Sequence, residues 1–270
     1  MNEQSLKGKS AFITGSVQGI GYGIAQSFAQ AGAKLAVHGI CDQKEADNVV
    51  QHMKDFGAAD AKFFNGDLRD AGVIDTLMHA VEDWNGGVDI LVNNAGIQKT
   101  AALTDVDNEL WDSIIAVNLS AAFHTMRFAL PRMAQRKYGR VVNISSVHGL
   151  VASINKAPYV SAKHGLVGLS KVVALEYASV GDASTGGVTV NCICPGWTST
   201  TLVAPQFEQR AKEIGGSFED GVKSILAEKQ PSLRMSETSE IGSLALWLCQ
   251  ISSHNVTGTS IPIEGGWTAQ

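Results

Sequence analysis

The sequence predicts an α/β fold in which one doubly wound, seven-stranded parallel sheet carries helices on both faces. Two observations lead to this prediction. Short apolar runs alternate with longer helical stretches along all 270 residues, which is typical of repeated βαβ units. A glycine-rich turn joins the first apolar run to the first helical stretch, as in sheets that bind ligands at their carboxyl edge.

The seven apolar runs fix the expected order of elements. Strands are expected at 10–14, 34–38, 61–64, 88–92, 140–144, 188–193 and 260–263. Helices are expected at about 20–31, 43–56, 70–85, 108–137 in two pieces, 158–179 and 237–250. Neither a repeat nor a low-complexity linker divides the chain, so residues 1–270 are interpreted as a single domain.

One segment, residues 198–232, interrupts this alternation between the sixth and seventh strands. Gly215-Gly216 within it predicts a break between two short helices. Long insertions in α/β domains are often lids, and we expect a substrate lid here. A passive surface excursion is the alternative.

Composition narrows the classes of function. A net charge of −5 without a basic run disfavours nucleic acid as a partner. No apolar stretch approaches the roughly 18 residues of a membrane span, and the first ten residues lack the apolar core of a secretory signal. The four cysteines form no Cys-x-x-Cys pair; we interpret them as reduced thiols, which predicts a cytoplasmic protein with no metal site.

The turn after the first strand has the spacing of a dinucleotide-binding loop. Its glycines fall at 15, 19 and 21 before the helix, and such a turn brings backbone N–H groups to a pyrophosphate. The predicted cofactor residues here are Gly15, Gln18, Gly19, Ile20 and Gly21. A tight turn of purely structural origin is the alternative.

The third and fourth strands end in further candidate cofactor residues. Asp67 could accept a hydrogen bond from an adenine amino group, with Leu68 beside it. Asn94, Ala95 and Gly96 follow the fourth strand, where ligands of doubly wound sheets lie. Alternatively, these small polar residues only shape turns.

The end of the second strand bears on the choice between NAD and NADP. A carboxylate there normally binds the ribose 2′-hydroxyl of NAD, but the first acid in this sequence is Asp42, slightly beyond the expected place. No arginine is expected nearby to hold a 2′-phosphate, so NAD is favoured. Asp42 is equally well explained as a helix N-cap.

Tyr159 and Lys163 lie one helical turn apart, and Pro158 is a suitable first helical residue. A lysine near a phenol lowers its pKa, so that the phenol can exchange a proton with an alcohol or ketone. Ser146 follows the fifth strand at the same rim as the glycine loop. Its neighbour Ser145 competes for the role of binding the reacting oxygen.

In this order and spacing, the motifs resemble the short-chain dehydrogenase/reductase family. The matches are Thr14-Gly15-x-x-x-Gly19-x-Gly21, Asp67, Asn93-Asn94-Ala95-Gly96, Asn118, Ser146, Tyr159-x-x-x-Lys163 and Pro195-Gly196. The resemblance implies a Rossmann-like fold with Tyr159 as general acid/base, Lys163 lowering its pKa and binding the ribose, and Ser146 stabilising the alkoxide. It also implies that Asn118 holds a water of a proton relay. The remaining implied cofactor residues are Pro195, Gly196, Thr198 and Thr200.

The predicted substrate residues suit a small carboxylate. Gln98, His148, Lys156 and Gln206 are donors, and a lysine or protonated histidine gives charge-assisted hydrogen bonds. Trp197 and Trp267 could form an apolar wall. Lys156 as a solvated lysine, His148 as a supporting residue and Trp267 as packing are the alternatives.

Within the family, these residues resemble those of members that act on a short 3-hydroxy acid. The implied reaction is reversible oxidation of (R)-3-hydroxybutyrate to acetoacetate with NAD. Reduction of 3-oxoacyl or sugar/polyol substrates is one alternative, and a non-catalytic dinucleotide sensor is another. The helix after Pro158 carries small residues at 161, 162, 165 and 168, which suggests burial on both sides; the resemblance implies a homotetramer.

Overall fold

The computed structural model describes residues 4–269 and contains one sheet of seven parallel strands. The strands lie in the order β3-β2-β1-β4-β5-β6-β7. Their bounds are β1 Ser10–Ile13, β2 Lys34–Gly39, β3 Asp60–Asn65, β4 Ile90–Asn93, β5 Tyr138–Ile144, β6 Gly187–Pro195 and β7 Ser260–Ile263. The predicted Rossmann-like, doubly wound sheet is confirmed, with β6 longer than the sequence indicated.

Nine helices connect the strands within the described residues. They are α1 Gly19–Gln30, α2 Gln43–Asp55, α3 Ala71–Asn85, α4 Asn108–Ile115, α5 Ala121–Gln135, α6 Ala157–Tyr177, α7 Ala204–Ile214, α8 Phe218–Lys229 and α9 Thr238–Cys249. Residues that alternate along a strand face opposite sides of the sheet. Ile13 packs with the core under α1 and α9, whereas Phe12 packs with the core under α3, α5 and α6.

The strand order creates a crevice at the carboxyl ends of β1 and β4. The chain leaves these neighbouring strands in opposite directions, to β2 and to β5, and ligands bind at such a switch point. Thr14 ties the two strand ends together, because its Oγ1 accepts hydrogen bonds from the N–H groups of Asn94 and Ala95 at 2.9 and 3.0 Å. The loops after these two strands are thereby held side by side.

The predicted two-piece helix at 108–137 is interrupted by a widened turn. Residues Ala116–Ser120 between α4 and α5 form a π-helical turn, a feature frequent at functional sites. By length and composition, Asn108–Gln135 could cross a membrane. The buried face of α5, however, packs Met126, Leu130 and Met133 into the core beside the sheet, as expected for a core helix.

The segment 198–232 contains the two predicted helices, α7 and α8. Gly215 ends α7 in the left-handed conformation at φ 65°, and a capping box of Ser217 and Asp220 begins α8. The break predicted at Gly215-Gly216 is therefore confirmed. Phe207 and Leu226 pack these helices against Trp197 and Trp267, which places the segment over one end of the crevice.

Candidate active site

Two adjoining cavities lie along the carboxyl edge of the sheet. A groove of about 480 Å³ runs over β1, β2, β3 and β4. A smaller chamber of about 70 Å³ lies beyond β5 and β6, and Leu202 and Val203 just before α7 are part of its wall. Tyr159, Ser145 and Thr200 line both cavities, so any transfer between a ligand in the groove and one in the chamber takes place beside Tyr159.

The glycine loop forms the floor of the groove. Gly15 and Gly19 have φ values of 62° and 60°, which favour glycine, and both line the groove with Gln18 and Ile20. Gly21 lies behind them, where a Cβ would overlap the carbonyl oxygen of Gly15. The Gln18 side chain makes no cap hydrogen bond at the start of α1, so the helix N-terminus is available to an anion.

The ends of β3 and β4 supply the predicted groove residues. Asp67, Leu68, Asn94, Ala95 and Gly96 all line it. The Asn94 side chain is committed to the fold, because its Nδ2 donates to the carbonyl oxygens of Thr14 and Gly15 at 3.0 and 2.8 Å.

Arg69 also lines the groove, so the expectation of no nearby arginine is wrong. Its Nη2 lies 2.5 Å from Asp67 Oδ2, and hydrogen bonds from Arg69 hold the pKa of the Asp67 carboxyl below its usual range. Arg69 is far from Asp42 in sequence, but the pairing of β2 with β3 brings its loop to the same end of the groove.

The end of β2 decides between the two interpretations of Asp42. Its Oδ1 accepts a hydrogen bond from the Glu45 N–H at 2.8 Å and caps α2, whereas Gly39 and Ile40 form the adjacent groove wall. The N-cap interpretation is therefore confirmed. His38, which sequence analysis missed, lines the groove from a buried position under the glycine loop.

Tyr159 and Lys163 lie in the first two turns of α6, and both are buried. Lys163 Nζ lies 5.6 Å from the centroid of the Tyr159 ring and donates a hydrogen bond to the Ile144 carbonyl oxygen at 2.8 Å. Burial lowers the pKa of Lys163 to about 8. Burial raises the pKa of Tyr159, and only a hydrogen bond with Ser146 opposes this. The lowering expected from Lys163 together with a positive nicotinamide stays a prediction; in this structure the ammonium group donates to Ile144.

The two candidate serines differ in what their hydroxyl groups contact. Ser145 Oγ donates to the Lys163 carbonyl oxygen at 3.1 Å and is part of the α6 scaffold. Ser146 Oγ accepts the His148 N–H at 3.1 Å and lies against Tyr159 in the chamber. The geometry favours Ser146 as the group that binds a reacting oxygen.

Asn118 lies in the π-helical turn and is 1% exposed. Its Oδ1 accepts the Ile97 N–H at 2.8 Å and its Nδ2 donates to the Ile97 carbonyl oxygen at 2.9 Å. The side-chain amide thus positions the loop that carries Gln98. An internal cavity of about 10 Å³ lies between Asn118, Asn93 and Lys163, about the space of one water molecule.

The chamber collects most of the predicted substrate residues: Gln98, Ser146, His148, Lys156, Trp197 and Trp267. Lys156 is 7% exposed and its Nζ lies 5.1 Å from the centroid of a Trp197 ring, so it is not a solvated lysine. Burial lowers its pKa to about 8. Gln98 Nε2 and Trp197 Nε1 are buried and have no hydrogen-bond partner within residues 4–269.

The surroundings of His148 favour a neutral ring. Burial, followed by the nearby charge of Lys156, lowers its pKa to about 3, so that Lys156 is the stronger candidate for a charge-assisted hydrogen bond. Its Nε2 lies 2.9 Å from Ser153 Oγ and its Nδ1 lies 3.5 Å from Ser146 Oγ. This geometry favours the alternative in which His148 supports Ser146.

Aromatic rings close the far side of the chamber. Trp197 and Trp267 stack with centroids 6.3 Å apart, and Phe207 packs on Trp197 at 5.0 Å. Phe207 was missed by sequence analysis, although its apolar neighbours in α7 are consistent with an inward face. Gln206 is half-buried on α7 and does not line the chamber in this structure.

The residues after β6 lie on the chamber side. Pro195, Gly196 and Thr198 line the chamber and not the groove, whereas Thr200 lines both. Their contact with a cofactor stays a prediction; β6 lies two strands away from the β1–β4 crevice, and Thr200 is the member of this set that reaches the groove.

Comparison with known proteins agrees with this geometry. The short chain dehydrogenase family model matches residues 9–211. The D-beta-hydroxybutyrate dehydrogenase of Cupriavidus necator is 45% identical over 266 residues, which cover 98% of this chain and 100% of the relative. The D-beta-hydroxybutyrate dehydrogenase of Rhizobium meliloti is 42% identical, with 97% and 99% covered.

A solved structure shows the same architecture. Actinorhodin polyketide ketoreductase with NADPH has a TM-score of 0.88 and 30% identity, and the match covers 97% of this chain and 98% of that one. The chain therefore belongs to the short-chain dehydrogenase family and is an oxidoreductase of that family.

Proposed function

We propose that this enzyme catalyses the reversible NAD-dependent oxidation of (R)-3-hydroxybutyrate to acetoacetate. The observation that supports this most strongly is Lys156, a buried lysine in a small chamber beside Tyr159. The two relatives named D-beta-hydroxybutyrate dehydrogenase support the same substrate.

A buried ammonium group without an anionic partner is destabilising, because burial removes its hydration. For Lys156, burial is the sole cause of the lowered pKa, and no carboxylate among the described residues opposes it. Gln98 Nε2 adds an unpaired buried donor to the same chamber. A substrate carboxylate would satisfy both donors.

The chamber residues have complementary parts in the proposed reaction. Ser146 Oγ holds the substrate hydroxyl group, and Tyr159 Oη takes its proton. Tyr159 must be ionised for this direction of the reaction, and the positive charges of Lys163 and of a bound nicotinamide would favour the phenolate against the effect of burial. Lys156 binds the carboxylate, and the stacked tryptophans cover the short alkyl end and exclude water. NAD would be held along the groove by the glycine loop and would accept the hydride from C3.

Lys163 and the cavity beside Asn118 give Tyr159 a route for its proton. The pKa of about 8 for Lys163 allows it to gain or lose a proton near neutral pH. The cavity between Lys163, Asn93 and Asn118 has room for one water. The side-chain amide of Asn118 is hydrogen-bonded to Ile97. We therefore assign Asn118 to the relay as a residue that lines this cavity.

The groove fits NAD better than NADP. The wall beside β2 is Gly39 and Ile40, and the nearby Arg69 is paired with Asp67. A 2′-phosphate would therefore compete with Asp67 for this arginine, whereas Asp67 keeps an ionised acceptor for an adenine amino group. The ketoreductase with NADPH shows that this fold also accepts the phosphorylated cofactor, so the distinction depends on these side chains.

The segment 198–232 is proposed to act as a substrate lid of the single domain. Phe207 already packs on Trp197, and a small rotation of α7 would bring the neighbouring Gln206 toward a carboxylate bound at Lys156. A reversible hinge at Gly215, where a Cβ atom would meet nothing within 4 Å, is compatible with such motion.

The assembly is proposed to be a cytoplasmic homotetramer. Val172 and Leu175 on the outer face of α6 are 54% and 79% exposed, and a Cβ atom at Gly168 on the same helix would meet nothing within 4 Å. A second copy would cover this apolar face. The four free thiols suit a reducing compartment.

The test is an activity assay with both enantiomers of 3-hydroxybutyrate, each with NAD and with NADP, followed by the absorbance of reduced nicotinamide. We expect turnover of the (R) enantiomer with NAD and much less in the other three combinations. A 3-oxoacyl thioester and a polyol serve as alternative substrates. Preference for either of them over 3-hydroxybutyrate would overturn the proposal.

A further inference from the structure

We propose that His38 is a positioning residue for the dinucleotide, acting through the glycine loop. It occupies the penultimate position of β2 and is 3% exposed. Its ring lies beneath the groove, between the loop after β1 and the loop after β3. The proposal rests on the proposed function only in requiring that the groove binds a nicotinamide dinucleotide.

The two ring nitrogens of His38 contact two different loops. Nδ1 lies 3.1 Å from the Gly15 nitrogen and accepts its N–H, whereas Nε2 lies 3.0 Å from the Gly66 carbonyl oxygen. An N–H can only donate and a carbonyl can only accept, so the neutral ring carries its proton on Nε2. Burial lowers the pKa of His38 to about 4, and this tautomer persists at neutral pH.

The backbone of His38 is also hydrogen-bonded to the glycine loop. The His38 carbonyl oxygen accepts the Ser16 N–H at 2.7 Å, and the His38 N–H donates to Ser16 Oγ at 2.9 Å. Asn94 Nδ2 donates to the Gly15 carbonyl oxygen from the opposite side. Both polar groups of Gly15 are thus held in its left-handed conformation before a ligand arrives.

The hydrogen bond from His38 to Gly66 positions the loop where the adenine end of the cofactor is proposed to bind. Gly66 precedes Asp67, which lines the groove where an adenine is proposed to bind. By bonding to Gly66 and Gly15 together, one ring sets the separation between the pyrophosphate loop and the adenine loop. Preorganising both loops lowers the ordering cost of binding.

Two amide substitutions separate the contacts of His38. In His38→Asn, Oδ1 lies near the position of Nδ1 and can accept the Gly15 N–H, but the side chain is too short for Gly66. In His38→Gln, Nε2 can donate to Gly66 while the acceptor for Gly15 is lost. His38→Phe removes both hydrogen bonds and keeps an aromatic ring against Phe12, whose centroid lies 6.1 Å away.

The experiment measures the dissociation constant of NADH by fluorescence, kcat and KM for both substrates, and Tm, for the wild-type enzyme and all three variants. We expect His38→Asn, which loses only the Gly66 contact, to bind NADH about threefold more weakly than the wild type. His38→Gln, which loses the Gly15 contact, should bind about tenfold more weakly, the effect of one hydrogen bond, and His38→Phe, which loses both, about thirtyfold more weakly. At saturating NAD, kcat and the KM of the hydroxy acid should change little.

If His38 has a purely structural role, the NADH affinities of the variants should follow another pattern. Equal loss of NADH affinity in His38→Asn and His38→Gln, in proportion to the fall in Tm, would overturn the proposal, as would wild-type affinity in both. If His38→Gln does not fold, the comparison of His38→Asn with His38→Phe retains the same two outcomes. Failure of the wild-type enzyme to oxidise 3-hydroxybutyrate while binding NADH would reject the proposed substrate and leave this inference standing.

Discussion

The groove and the chamber differ in whether the protein itself provides hydrogen-bond partners for their polar side chains. Along the groove, the side chains of His38 and Asn94 are hydrogen-bonded to the protein itself, as is that of Thr14 behind it. In the chamber, Lys156 has no carboxylate partner among the described residues, and Gln98 Nε2 is buried without an acceptor. The groove is complete before binding, whereas the chamber is completed by its ligand.

This difference explains how one fold serves many substrates. A dinucleotide is bound mainly by backbone groups and a helix N-terminus, which the strand order positions. The chamber depends on individual side chains from loops after β4, β5 and β6 and from α6 and the C-terminal turn. Substitutions in the chamber should therefore change the substrate without changing the cofactor.

The largest expected effect is a loss of turnover without a loss of cofactor binding. Tyr159→Phe keeps the buried ring and removes the proton carrier, so kcat should fall by roughly 10³-fold or more. The dissociation constant of NADH, measured by fluorescence, should stay within a few-fold of wild type. Retention of most of kcat would remove Tyr159 from its assigned role.

The next largest effect is expected from substitution of Ser146, with Ser145 as the matched control. Ser146→Ala removes a hydroxyl group available to the reacting oxygen, and kcat should fall by roughly 10²-fold. Ser145→Ala removes a scaffold bond to Lys163, so its main expected effect is a loss of about 1 kcal/mol in the free energy of unfolding. Kinetics and urea unfolding of both variants check this; similar kcat losses in the two would contradict the distinction.

The smallest of these effects is the pH dependence of carboxylate binding. The pKa of Lys156 is lowered to about 8, so the ammonium group is charged below this value and loses its charge above it. The affinity for butyrate, an unreactive carboxylate, should be nearly constant between about pH 6 and pH 7 and fall about tenfold per pH unit well above pH 8. His148, with a pKa of about 3, does not titrate in this range.

Lys156→Arg provides the control, because an arginine remains charged throughout. Calorimetric titration with butyrate at several pH values should give a pH-independent affinity for this variant. The same decline in Lys156→Arg as in the wild type would assign the titration to another group.

The sequence was sufficient for the fold and for most of the groove. Hydrophobic runs of strand length and the glycine spacing depend on local chain properties, and the structure reproduces their order. The break at Gly215 and the small residues at the strand ends are also local signals. Arg69 and His38 were missed in this region, because their proximity to the groove depends on strand pairing and burial between distant segments.

The chamber was harder to predict, because burial changes what a side chain can do. His148 could be placed near Ser146 from its spacing, but its neutral state follows from burial next to Lys156. Likewise, the hydrogen bond from Lys163 to the Ile144 carbonyl oxygen joins α6 to the end of β5 and could not be predicted from the spacing of Tyr159 and Lys163. Phe207 rather than Gln206 turns toward Trp197, since the rotation of a short surface helix is set by packing.

The most direct test of the account compares a substrate that carries the carboxylate with one that lacks it. The ratio of kcat/KM for (R)-3-hydroxybutyrate to that for (R)-2-butanol is measured with NAD in the wild-type enzyme and in Lys156→Met. We predict a wild-type preference of roughly 10³-fold for the acid, since losing a buried charge pair costs on the order of 3–5 kcal/mol. In Lys156→Met this preference should shrink to about tenfold or less. An equal preference in both enzymes would contradict the claim that Lys156 recognises the carboxylate.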